Sequence, residues 1–173
     1  MGPLAEKIIA QYHLTPLDGE GGYVRRTFTS RASLETSSIS PHFNEQRLPL
    51  VSHIYYLITR ESFSSLHRLH SSEVWTWLEG DPAVMITIDS HHKLTETVIG
   101  PEGLMHAVTF VEGGKWQGTR LIDNETKGYA LFSITVVPSF DIADFTLADE
   151  ALISSLDESL RPLVRPFLAK EDI

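Results

Sequence analysis

Between residues 48 and 137 the chain alternates short runs of β-branched and aromatic residues with turn-forming ones, and that rhythm leaves few folds open. Residues 51–58, 74–78, 83–88, 93–99, 105–111, 116–122 and 128–137 are each of strand length and suit a pleated, half-buried surface. Many short strands at regular spacing, with glycine-bearing turns, predict an all-β sandwich or barrel. Residues 23–30 read as a further strand and residues 30–47 as a polar loop. Helical spacing occurs only at the two ends, in residues 4–12 behind Pro3 and in residues 148–160. No linker, low-complexity tract or fixed-period repeat interrupts the pattern, so residues 1–173 are expected to form one domain.

Composition narrows the function classes. The chain of 173 residues carries 14 basic and 23 acidic residues, a net charge of -9, with no dense Lys/Arg cluster. An acidic surface repels phosphate backbones, so no nucleic-acid partner is expected. Cysteine is absent, which excludes disulfides, thiolate zinc sites and thiol nucleophiles. The first residues lack the basic stretch and apolar run of a signal peptide. The apolar run 129–137 is too short to cross a bilayer as a helix. A cytoplasmic protein with no membrane partner is the expectation. No phosphate-binding loop, dinucleotide fingerprint or Gly-x-Ser-x-Gly occurs, which removes several enzyme classes.

Chemistry concentrates between residues 62 and 80. If residues 64–69 form a strand, His67 shares a face with Ser65 and Leu69. In the next strand Glu73, Trp75 and Trp77 share one face. An imidazole and a carboxylate can then meet in a pocket walled by indoles. Burial there raises the carboxylate's pKa, and a nearby imidazolium opposes the rise. Such a pair serves as a general acid/base dyad or as two metal ligands. Glu20 and Arg25, flanking the glycine-rich Gly21-Gly22 turn, offer a charged clamp for a ligand. Tyr55 and Tyr56 point to opposite faces, so at most one sees the pocket, and Trp116 is a further candidate for its wall.

The same segment resembles the cupin superfamily. In the first cupin motif, His-x-His followed by Glu and then Gly, His67, Glu73 and Gly80 match, and Leu69 stands at the second histidine. In the second, Pro-x-Gly-x-x-His, Gly113 matches, while Val111 replaces the proline and Trp116 the histidine. The departures resemble one branch, the Cupin_5 family. This chain has Glu20-Gly21-Gly22-Tyr23, Ile54-Tyr55-Tyr56-Leu57, Leu66-His67-Arg68, Glu73-Val74-Trp75 and Val136-Val137-Pro138-Ser139-Phe140 in that family's order. The family's His-Pro before Glu-Gly-Gly is Asp18-Gly19 here.

What the resemblance implies is a jelly-roll β-sandwich with short terminal helices, holding a small polar ligand in its cavity and pairing as a homodimer. Two of four metal ligands are replaced by apolar side chains, so no cofactor is expected, and a metal only through a degenerate set. By similarity to deoxysugar 3,5-epimerases, one expectation is a metal-independent epimerase or isomerase acting on a sugar or sugar nucleotide. There His67 is the base, Glu73 its orienter or the acid, and a tyrosine the proton donor. The alternatives are a non-catalytic small-ligand-binding module, and a metal enzyme that recruits a further ligand beside His67 and Glu73. Glu20, Arg25, Tyr55, Trp75, Trp77 and Trp116 are the expected ligand-binding residues.

Overall fold

A computed structural model describes residues 1–101, 106–122 and 126–169. The chain opens with helix α1 (Pro3–Tyr12), where Pro3 fills a first-turn position and His13 ends the helix in the left-handed conformation. Strands β1 (Thr15–Pro16), β2 (Tyr23–Thr29), β3 (Ser33–Glu35), β4 (Arg47–Pro49), β5 (Ser52–Thr59), β6 (Ser64–Arg68) and β7 (Ser72–Gly80) follow. Then come β8 (Ala83–Ile88), β9 (Leu94–Ile99), β10 (Val108–Val111), β11 (Trp116–Leu121), β12 (Tyr129–Val137) and β13 (Thr146–Leu147). Helices α2 (Glu150–Ser155) and α3 (Arg161–Val164) complete the described chain.

The strands form two main sheets, one ordered β1-β2-β5-β12-β7-β10 and the other β13-β6-β11-β8-β9, with β3 and β4 as a separate hairpin. All the strand pairings are antiparallel. Sequence neighbours β6 and β7 lie in different sheets, as do β5 and β6, so the chain crosses between layers as a jelly-roll sandwich does. No described helix is long and apolar enough to cross a membrane.

Three apolar clusters hold these layers. Tyr56, Ile58, Trp75, Met85, Ile99, Phe132 and Ile134 fill the space between the sheets. Leu66, Ile86 and Ile88 on the other face of the second sheet pack under Ile153, Leu156, Val164 and Phe167. Helix α1 covers Leu57 and Leu131 with Ala5 and Ile8. Each large side chain so buried contributes roughly 1.5–3 kcal/mol.

Three details differ from the sequence reading. The expected loop 30–47 contains the β3–β4 hairpin and a 3-10 turn at Thr36–Ser38, elements too short to leave a periodic signal. The expected helix 148–160 breaks in two. Asp149 caps the first piece by accepting from the Leu152 N–H, and Leu156 ends it in an extended conformation, so that Arg161–Val164 can bury Val164 separately. The strand expected over 105–111 is seen as Val108–Val111, and Met105 lies outside the described residues.

Candidate functional site

His67 comes from the five-stranded sheet and Glu73 from the six-stranded one, and the fold places them on the same hollow between the layers. Parity explains the first placement. His67 pairs with Gln117 on β11 and with Leu147 on β13, and partners across a ladder share a face. On β7, Glu73 lies opposite Val136 and Trp75 opposite Ile134 of β12, and all four face inward. The cavity measures about 150 Å³. Tyr56, Trp75 and Phe140 supply aromatic wall, Glu20 reaches in from the β1–β2 turn, and Arg26 stands at the exposed end.

The turn that delivers Glu20 depends on its glycines. Gly22 has φ +71, and a Cβ there would lie 2.6 Å from the Tyr56 hydroxyl, so only glycine lets the turn sit on that ring. In return, the Tyr56 hydroxyl donates to the Gly21 carbonyl at 2.8 Å. Glu20 Oε1 accepts from the Ser64 hydroxyl at 2.9 Å.

Partners fix the proton on His67. Its Nδ1 lies 2.8 Å from the Ser65 carbonyl, which can only accept, so Nδ1 carries the hydrogen. Its Nε2 lies 3.2 Å from Gln117 Nε2, whose N–H it accepts. Both ring nitrogens are thereby engaged, and the ring stacks at 5.3 Å on Phe145. Glu20 Oε1 is 3.8 Å from His67 Nδ1, outside hydrogen-bond range.

Glu73 is 6 % exposed. Burial pushes its carboxyl above the ordinary value of 4.5 and the charge of Glu20 adds to the rise, while His67, Gln117 and the Trp75 indole oppose it. The Trp75 Nε1–H donates to Glu73 Oε2 at 2.5 Å. Tyr56 is held well above the ordinary phenol range, first by burial and then by Glu20. Burial and the neighbouring carboxyls keep Tyr56 protonated.

Of the expected site residues, the structure brings together His67, Glu73, Glu20 and Trp75. Four others do not line the hollow. Arg25 and Tyr55 are paired across β2 and β5 on the α1 side, where the guanidinium lies 5.5 Å from the Tyr55 ring and Tyr12 packs edge-on. Trp77 faces inward but is packed beyond the cavity, its indole N–H donating to the Asp81 carbonyl at 3.3 Å. Trp116 faces the opposite side of its sheet, under the Arg68 guanidinium at 4.8 Å. For Arg25, Tyr55 and Trp116 the reason is register: the neighbours Arg26, Tyr56 and Gln117 take the inward positions. Parity along β5 and β11 admits these residues as readily, but a single strand cannot say which parity faces in.

The chemistry of the donor set does not fit a first-row metal. Leu69 lines the hollow with no lone pair to offer, and Nε2 of His67 is already accepting from Gln117. About three protein ligands are the usual requirement. Among the described residues no three His, Asp or Glu side chains are grouped to hold an ion.

A two-sheet jelly roll whose β6–β7 corner presents His and Glu to an internal hollow defines a cupin. Residues 6–148 match the Cupin_5 family of the cupin superfamily (DUF985), and the chain belongs to that family. Among solved structures it is similar to a hypothetical protein from Leishmania major, with 25% identity and a TM-score of 0.85, covering 96% of this chain and 99% of that one. It is also similar to a protein from Shewanella oneidensis, at 22% identity and TM-score 0.80, covering 96% and 98%. A cupin 2 domain-containing protein from Halorhodospira halophila shares the fold at 12% identity and TM-score 0.57, covering 90% and 88%. No curated protein matches.

Proposed function

We propose that the protein binds a small, partly apolar molecule in the cavity between its sheets and moves a proton on it without a metal, as an isomerase or epimerase. One observation carries this reading: Glu73 is a buried carboxyl on the cavity wall whose proton affinity is raised toward the range where an acid/base group works. His67 has no free nitrogen to serve as the base, so its role here is positioning, through Gln117. A cavity near 150 Å³ takes about one benzene-sized molecule. Of a sugar or sugar nucleotide, only the reacting carbons fit inside, and the remainder extends past Arg26.

Proton exchange tests it. With small carbonyl compounds in deuterated water, the protein is expected to place deuterium on the carbon next to the carbonyl, followed by NMR. Glu73→Gln should slow that exchange by about 10²–10⁴-fold. Ligand binding without any exchange would instead support a non-catalytic binding module. That second reading is favoured by the internal hydrogen bonds that already engage His67 and Tyr56.

We also propose that two copies pair through β10. This strand forms an edge of the six-stranded sheet and leaves Phe110 72 % and Val108 41 % exposed. Light scattering should give about twice the 19.4 kDa chain mass, and Phe110→Glu should halve it. A wild-type monomer would remove the idea.

A further inference from the structure

The polar groups of the cavity's inner part, away from Arg26 at its exposed end, are of one kind, and this limits what it holds. The donors of the inner part are already spent: the Tyr56 hydroxyl on the Gly21 carbonyl, the Trp75 indole on Glu73, and His67 Nδ1–H on the Ser65 carbonyl. What remains is acceptor. Glu20 and Glu73 both line the hollow, and among the described residues neither is ion-paired to a lysine or arginine. Off the lining, beside His67, Gln117 is 1 % exposed and has its carbonyl oxygen buried with no partner. Arg26 is the sole cationic side chain on the lining, and its guanidinium lies at the exposed end over the Phe140 ring, 5.9 Å from the centroid.

From this geometry we infer that the cavity's ligand is a small organic ammonium ion with an apolar body, its N–H groups directed between Glu20 and Glu73. An ammonium supplies donors and no acceptor, which complements such a wall, whereas a carboxylate or phosphate brings only acceptors and a charge of the same sign as an ionised carboxyl. Tyr56, Trp75 and Phe140 present ring faces and edges to the same space, and cations are attracted to aromatic faces. The positive charge also relieves the mutual repulsion of the two carboxylates, which is one cause of the raised Glu73 affinity for its proton. The inference rests on the reading that this cavity is the binding site, and names its ligand class.

Three probes of one size and different charge test it at pH 7.5: n-butylammonium, n-butanol and butyrate. Binding is read from the Trp75 indole N–H resonance, one of three in the chain, assigned by its loss in Trp75→Phe. Butylammonium is expected to bind at least about tenfold more tightly than butanol, with butyrate silent. Glu20→Gln and Glu73→Gln should each erase about tenfold of that preference while leaving the circular dichroism spectrum unchanged. Butanol or butyrate binding as tightly as the cation would overturn the ammonium class and leave the cavity as a site. If none of the three moves the resonance, the cavity reading falls along with the inference.

Discussion

Trp75→Ala is expected to lower folding stability by about 3–5 kcal/mol, the range for truncating a buried aromatic. Trp75 is 1 % exposed at the centre of the inter-sheet core, edge-on to Tyr56 at 5.7 Å and to Phe132 at 5.2 Å. Its removal opens a void bordering an existing cavity, so the surroundings have little with which to refill it. It also strips the indole N–H from a buried carboxylate, an added penalty. For a chain of this size the loss corresponds to a fall in Tm of roughly 10–15 °C. Thermal and urea unfolding followed by circular dichroism check it, and a loss below about 1.5 kcal/mol would mean that the indole is not a central support. Trp75→Phe separates the two effects. It keeps most of the packing and removes only the donor, so Glu73 should hold its proton to still higher pH.

Glu73→Gln is expected to trade function for stability. The raised pKa means that the folded chain keeps this proton to higher pH than the unfolded chain does. The stability the carboxyl contributes is therefore complete below its ordinary value of 4.5 and is lost as pH rises through the folded value. At neutral pH the wild type bears the cost of this site's raised proton affinity, whether as a charge in the hollow or as a proton taken up on folding, and glutamine mimics the uncharged form at every pH. The variant should be more stable than wild type by about 1–2 kcal/mol at pH 7.5. The difference should shrink to nearly zero near pH 4. Unfolding curves at several pH values measure this directly. A variant less stable than wild type at neutral pH would show that Glu73 is a structural carboxylate, fully compensated by the Trp75 and Gln117 hydrogen bonds. Combined with the expected loss of proton exchange, a stability gain would mark Glu73 as a group retained for chemistry at the expense of folding.

The two variants probe one arrangement from opposite sides. The indole both fills the core and tempers the carboxyl, so packing and acid/base character are coupled at Trp75. His67 opposes the rise of the Glu73 pKa directly and also acts by a longer route. It orients Gln117, and Gln117 opposes the rise of the Glu73 pKa, which makes the imidazole a positioning group in the proposed chemistry.

Much of the architecture was legible because strand formation is a local matter. Alternation over five to nine residues and the intervening turns report which segments are extended, and seven such segments between residues 48 and 137 suffice to predict a sandwich. The spacing of His67, Glu73 and Gly80 reports the β6–β7 corner for the same reason. Gly80 has φ +114, and a Cβ there would lie 2.3 Å from the Tyr129 carbonyl oxygen, so the end of β7 has little choice of residue. The hairpin β3–β4 and the break within the C-terminal helix escaped, since each involves too few residues to set up a period.

The site divided along the same line. Parity within one strand is fixed by the sequence, so Glu73 and Trp75 had to share a face, and so did His67 and Leu69. Which face looks inward is set by partners far along the chain: Val24 opposite Tyr56, Gln117 opposite His67, Ile134 opposite Trp75. That choice put Tyr56 and Arg26 on the cavity lining, set Gln117 against His67, and sent Tyr55, Arg25 and Trp116 to outer faces. The tautomer of His67 and the raised proton affinity of Glu73 are likewise tertiary, because both depend on groups brought together from separate strands and sheets. The chain alone determined which side chains can act together; the packing of one layer on the other decided which of them meet, and in what charge state.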